Sequence, residues 1–230
     1  MEKLRRLFVS EKEKLQGRSF KEKAQYIWEY YHLWIIGIGA ALFFVVWLIW
    51  HYTTAIGENW IYVAFPNAMT EMGNRSPFWE AYVEASGYDI REKNVEFNSS
   101  LYFDPTVLSG TANNYYQAFV AMTEAGTLDA VTLTCPQLEA LGQSGRLLDL
   151  TDEKTEEIYR KYKDRLIYSV PYDEEYSTEP VPVGIDISDS ILMTQYHIYE
   201  DSCALGIGAY SSHIDAVEEF LSWILEEDGS

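Results

Sequence analysis

The chain has 230 residues, 47% hydrophobic and 23% charged, a composition that excludes a disordered or low-complexity polypeptide. Asp and Glu number 36 against 17 Lys and Arg, and the net charge of -19 excludes nucleic acid as a partner for the bulk of the protein. Two cysteines, Cys135 and Cys203, are too few for a disulfide scaffold, and no Cys-x-x-Cys or Cys/His spacing calls for zinc.

The first segment, residues 1–32, is a basic arm. It carries Lys3, Arg5, Arg6, Lys12, Lys14, Arg18, Lys21 and Lys23 against five Glu, whereas the remainder carries nine basic and 31 acidic residues. Phe20, Ala24, Ile27 and Tyr31 recur at helical spacing, so the arm is expected to run as an amphipathic helix into the apolar segment after it. Leu33 to Trp50 is an uncharged run. Eighteen helical residues span about 27 Å, close to the hydrocarbon thickness of a bilayer. Trp28, Tyr30, Tyr31 and Trp34 crowd one end and Trp47, Trp50 and Tyr52 the other, as interfacial aromatic belts do. Residues 33–52 are therefore expected to cross a membrane. Charge asymmetry places the N-terminus in the cytoplasm, with the basic arm against anionic lipid, and residues 53–230 outside. The alternatives are a buried core helix and a signal peptide cleaved near Ala55-Ile56-Gly57.

After a linker at 53–58, residues 59–230 alternate strand and helix patterns. Trp60 to Phe65 is a strand stopped by Pro66; Ser76-Pro77 opens a helix with Phe78, Ala81, Tyr82 and Ala85 on its apolar face and Gly87 at its end. Val95 to Phe103 is a strand halted by Asp104-Pro105, Asn113 to Ala125 a helix capped by Gly126, and Leu128 to Thr134 a buried strand. A short helix runs from Pro136 to Leu141, and a charged one from Lys154 to Leu166. Pro182 to Ile187, Ile191 to Tyr196 and Cys203 to Ala209 come next as strands, and Ser211-Ser212 caps a last helix with Ile214, Val217, Phe220, Leu221, Ile224 and Leu225 on one side. This order predicts an α/β domain with a mainly parallel sheet covered on both faces.

The stretch Asn113 to Asp152 resembles the extracytoplasmic solute-binding proteins of ABC importers, which have the type 2 periplasmic-binding-protein fold. The resemblance rests on Gly126, on Asp129-Ala130-Val131, on Cys135-Pro136, and on Gly145-Arg146-Leu147-Leu148-Asp149-Leu150. Cys203 to Leu225 resembles the same family's strand and C-terminal helix. The N-terminal part, with Trp28-Glu29-Tyr30-Tyr31, is similar to single-span membrane proteins of Gram-positive bacteria. The resemblance implies a tethered receptor with an interlobe cleft. The segment between Asp152 and Pro180 is too short for a second lobe, so a reduced form with a truncated second lobe is expected.

Open α/β sheets place ligands at the carboxyl ends of their strands. That rule nominates Asn67, Asn98, Tyr102, Thr134, Asp186 and Asp189 as ligand-binding residues. For Asp186 and Asp189, Asx-turn and capping chemistry between strands is the competing reading. Asp173-Glu174-Glu175 with Glu179 lacks the spacing of a calcium loop and reads as a solvated loop. Cys135 and Cys203 are either free thiols or a disulfide formed in an oxidising exterior. No Gly-x-Ser-x-Gly, His-Glu-x-x-His or phosphate-loop motif is present, and the one enzymatic alternative is thiol chemistry by Cys135 with His213. The sequence calls for no cofactor and no metal. It predicts a non-catalytic recognition module with the lipid bilayer as one partner. A small solute or a membrane transport or signalling protein is the other, and a structural interaction scaffold is the alternative.

Overall fold

The structure, a computed structural model, describes residues 17, 19–54, 59–90, 92–173 and 177–225. The arm's basic residues from Lys3 to Lys14 with Arg18, the cleavage site at Ala55-Ile56-Gly57, and Glu174, Glu175 and Tyr176 lie outside the described residues. The chain divides into two compact units, residues 1–56 and 57–230.

Among its described residues the first unit has one helix, α1 (Phe20–Thr54). A capping box starts it: the Ser19 N–H donates to Glu22 Oε2 at 2.8 Å and the Glu22 N–H to Ser19 Oγ at 3.4 Å. The span Trp28 to Trp50 contains an 18-residue window with a mean hydropathy of 2.4, 0% of it buried. Eleven Leu, Ile, Val and Phe side chains between Leu33 and Ile49 stand exposed. At about 2 kcal/mol each, leaving them in water costs on the order of 20 kcal/mol, more than the net stability of an ordinary domain. Among the described residues one apolar helix, near the N-terminus, is thus long enough to cross a membrane, as an anchor or a signal sequence does. It is not a core helix.

The second unit is a mixed α/β domain built on one six-stranded sheet of order β2-β1-β3-β6-β5-β4. In chain order its elements are β1 (Asn59–Ala64), α2 (Pro77–Ser86), β2 (Asn94–Asn98), α3 (Leu108–Thr111), α4 (Asn114–Glu124), β3 (Ala130–Leu133) and α5 (Cys135–Gly142). Beyond these lie α6 (Glu156–Lys161), β4 (Leu166–Ser169), β5 (Val181–Asp186), α7 (Ile191–Thr194), β6 (Ala204–Ile207) and α8 (Ile214–Leu225). Ser76 caps α2 by accepting from the Trp79 N–H, and Gly87 closes it in the left-handed region at φ 65°.

The expected mainly parallel sheet is corrected to a mixed one. β1 pairs in parallel with β2 and β3, but β3–β6, β6–β5 and β5–β4 are antiparallel. The connections explain the change. α2 and α4, of ten and eleven residues, are about 15 Å long and carry the chain back to the start of the next strand. α7 has four residues and rises about 6 Å, far short of the roughly 20 Å of β5, so the chain enters β6 at the end where it left β5. α7 also replaces the strand expected over Ile191 to Tyr196. The helix expected over Lys154 to Leu166 is broken into α6 flanked by two 3₁₀ turns, and Leu166 begins β4.

Both faces are covered. Ile61, Val63, Ala130, Leu205 and Ile207 pack under α2 and α8, through Phe78, Tyr82, Phe220 and Ile224. Ala64, Val131 and Leu133 pack under α4 and α5, through Phe119, Leu138 and Leu141. Period-two alternation along β1 thus feeds two cores. Gly184 and Gly206 let α5 lie close: a Cβ on Gly206 would stand 3.1 Å from Leu138 Cδ1 and 3.0 Å from Leu147. The Gly206-Ile207-Gly208 run is therefore a packing device.

Candidate functional site

The chain leaves β1 leftward to β2 and returns rightward to β3, so the crevice between β1 and β3 is where an open sheet of this kind receives a ligand. The protein fills that crevice itself. Tyr199, 6% exposed, comes in from the segment after α7, and its hydroxyl donates to the Pro66 and Thr132 carbonyls, each at 2.9 Å, with Thr132 Oγ1 at 3.1 Å. Burial pushes its phenol well up, so it remains a neutral donor. No local pattern in Tyr196-His197-Ile198-Tyr199 marks this role; it arises only when the segment is laid across the strand ends.

Tyr199 stands at the boundary that parts the six nominated residues. On the β1–β2 side, Asn67 sits at φ 59°, a left-handed conformation that Asn tolerates, and clamps the loop beyond β2. Its Nδ2 donates to Phe103 O at 2.6 Å and its Oδ1 accepts from the Phe103 N–H at 3.1 Å. Asn98 donates to Tyr62 Oη at 2.8 Å and accepts from both the amide and the hydroxyl of Ser100. That Asx turn ends β2 at Asn98, five residues earlier than the expected strand. Tyr102 is 54% exposed and meets Tyr115 edge-on at 5.7 Å.

On the β3–β5 side, Thr134 precedes α5 without a side-chain cap bond. Asp186 accepts from the Ser188 amide at 2.9 Å and its hydroxyl at 2.6 Å, the Asx-turn arrangement. Asp189 forms a two-pronged ion pair with Arg165, which holds its carboxyl below the usual range. Cys135 and Cys203 are both free thiols here. Burial raises the Cys135 thiol, against the opposing Ser202 hydroxyl, and pushes Cys203 well up. His213 is not near Cys135. It lies at the opposite end of β3, where its Nδ1 is 3.1 Å from the Asp129 carboxylate. Asp129 also accepts from the Tyr62 amide at 2.8 Å and from Ser211 Oγ at 2.6 Å. This buried carboxylate ties β1, β3 and the start of α8 together. An Asp directly before a buried strand is its only trace in the sequence.

The concavity that gathers nominated residues is a polar groove of about 590 Å³ at the carboxyl end of β2, with Asn98 and Tyr102 among its walls. Tyr115, Glu71, Asn74 and Glu96 complete its character. The loop after β1 folds over the β2 edge to make it. The Phe97 N–H donates to Asn74 Oδ1 at 2.8 Å, Asn74 N donates back to Phe97 O at 3.2 Å, and Asn74 Nδ2 donates to Glu96 at 2.8 Å. Edge strand β2 is thereby protected from open pairing. Glu71 accepts from Ser99 Oγ and from the Gly73 N–H, each at 2.8 Å, which lowers its carboxyl, the Ser99 bond contributing most. Exposed aromatic faces beside carboxylates and amide groups suit a small polar or cationic solute. Among the described residues, no group of three or more His, Cys, Asp or Glu side chains is placed to hold a metal ion.

Comparison with family models, with curated proteins and with solved structures finds no match to this chain.

Proposed function

We propose that this chain is a membrane-tethered, non-catalytic recognition module of reduced solute-binding type. Its α/β domain is held outside the cell membrane by α1, with the N-terminus in the cytoplasm. The domain takes a small polar solute into the groove at the end of β2 and serves a transport or signalling system. The observation that carries this reading is that groove: nominated residues Asn98 and Tyr102 share a concavity of solute size with Tyr115 and two carboxylates. The charge asymmetry between residues 1–32 and the remainder supports the orientation.

A second reading, a protein interaction scaffold with a degenerate solute-binding fold, is favoured by one observation. Tyr199 occupies the crevice where ligands of open sheets sit. The two readings separate on the full-length chain in nanodiscs, by native mass spectrometry and a thermal-shift screen of amino acids, sugars, peptides and metal ions. A bound solute at 100 times its Kd adds about 2.7 kcal/mol, which raises Tm by roughly 5–10 °C for a domain of this size. The solute reading expects such a shift, and expects Tyr102→Ala to abolish it. No adduct and no shift across the panel leaves the scaffold.

A further inference from the structure

A second concavity, which shares no lining residue with the β2-end groove, lies on the helical face between α2 and α8, with a volume of about 570 Å³. Its walls are aromatic and acidic: Tyr82, Tyr88 and Trp223 beside Asp215, Glu218 and Glu219. The rings pack on one another, with Tyr82 5.1 Å from Trp223 and 6.5 Å from Tyr88 between centroids. Tyr82 is 2% exposed, yet its hydroxyl has no hydrogen-bond partner. An unmet buried hydroxyl costs about 1–3 kcal/mol. Glu219 is held in place by the Tyr88 hydroxyl.

We infer that this α2–α8 groove is a binding site for an organic cation, an alkylammonium or guanidinium group. The chemistry converges on positive charge from three sides. Aromatic faces attract cations through their quadrupoles. Three carboxylates within one groove supply the counter-charge, and the thirty-one acidic against nine basic residues beyond the arm concentrate cations around it. The unpartnered Tyr82 oxygen lies beneath this surface with no exposure of its own, an acceptor that a donated N–H meets only when the overlying side chains part. The protein already uses one wall this way: Lys93 Nζ stands 4.4 Å from the Tyr88 ring centroid and 3.5 Å from that of Trp60. Lys161 reaches the groove margin too, where its ammonium donates to Ser222 Oγ at 2.7 Å. The remaining carboxylates and the inner face of Trp223 are left for an external cation. This site is independent of the β2-end groove, so either stands if the other fails.

The test is ¹⁹F NMR of full-length protein in nanodiscs labelled with 5-fluorotryptophan, the Trp223 resonance being assigned with Trp223→Phe. The probes are n-butylammonium, n-butylguanidinium, neutral n-butanol and an end-blocked Gly-Lys-Gly peptide. The two cations are expected to shift the Trp223 resonance saturably while butanol does not. Glu218→Gln with Glu219→Gln, both at the surface, is expected to weaken binding by about tenfold or more, and Tyr82→Phe by a few-fold. Equal affinity for the amine and the peptide assigns the site to free organic cations; markedly tighter peptide binding assigns it to a partner's lysine side chain. Equal shifts with butanol, no saturable shift with either cation, or unchanged affinity in the double glutamine variant would overturn the inference. Circular dichroism of each variant confirms that the fold persists.

Discussion

Tyr199→Phe isolates the contribution of one hydroxyl to closing the sheet's crevice. The ring stays and no cavity forms, so the change removes only the donor shared by Pro66 O and Thr132 O and the contact with Thr132 Oγ1. Buried acceptors left without a donor cost about 1–3 kcal/mol. For a domain of roughly 170 residues, 1 kcal/mol moves Tm by about 2–4 °C, so Tyr199→Phe lowers it by roughly 2–12 °C. Differential scanning calorimetry on the full-length chain reads this directly. Thr132→Val removes the partner hydroxyl alone, and the double variant is less damaging than the sum of the singles, with a coupling of about 0.5–1 kcal/mol. A Tm for Tyr199→Phe within 1 °C of wild type would refute the reasoning, because it would mean that the hydroxyl is not holding the crevice shut. A drop with strictly additive singles would keep the backbone bonds and discard the Thr132 contact.

Three further outcomes are expected. Gly184→Ala sets a methyl against Leu138 and 2.9 Å from Leu205 O, a backbone atom that cannot turn away, so it destabilises by about 1–3 kcal/mol; an unchanged denaturant midpoint would contradict this close packing. The Glu71 carboxyl lies below its ordinary 4.5, so its hold on the 71–74 loop is complete above that pH and is lost as pH falls through the lower folded value. The Gly73 amide resonance should therefore titrate with a midpoint under 4.5 that rises in Ser99→Ala, and a midpoint at or above 4.5 in the wild type would count against the Ser99 bond. Because burial raises both thiols, maleimide should label Cys135 slowly at neutral pH and faster towards about pH 9, and Cys203 only after unfolding. Rapid labelling of Cys203 in native protein would contradict its burial.

Legibility tracks the range of the interaction that decides each element. Ser76-Pro77, Gly87 and the stripe from Ile214 to Leu225 are local signals, and the helices form where those signals stand. The apolar run to Trp50 is equally plain, because no soluble packing accounts for it. Ile191 to Tyr196 misleads because a six-residue segment that opens with the apolar Ile191, Leu192 and Met193 is short enough to fit a strand and a helix alike; Ser190 in extended conformation starts the helix. The strand expected to reach Phe103 stops at Asn98 because the Asn98 side chain turns the chain onto Ser100. β4 escapes notice because four residues at the end of a charged segment carry no periodicity. At the strand ends the sequence names residues without showing where their hydrogen bonds go. Asn67 and Asp186 spend their hydrogen bonds on the loops beside them, and the crevice they flank is filled by Tyr199, which lies 133 residues from Pro66.

Tethered display of the acidic domain is the claim on which the proposed recognition rests, and impermeant maleimide labelling of intact cells tests it most directly. Ala121 is exposed in the middle of α4, so Ala121→Cys in a Cys135→Ala background offers a thiol that does not disturb the core. Labelling in unbroken cells at the level seen after permeabilisation, with the protein remaining in the membrane fraction after an alkaline wash, is the predicted result. Labelling only after permeabilisation, or release of the domain into the medium, would contradict the account.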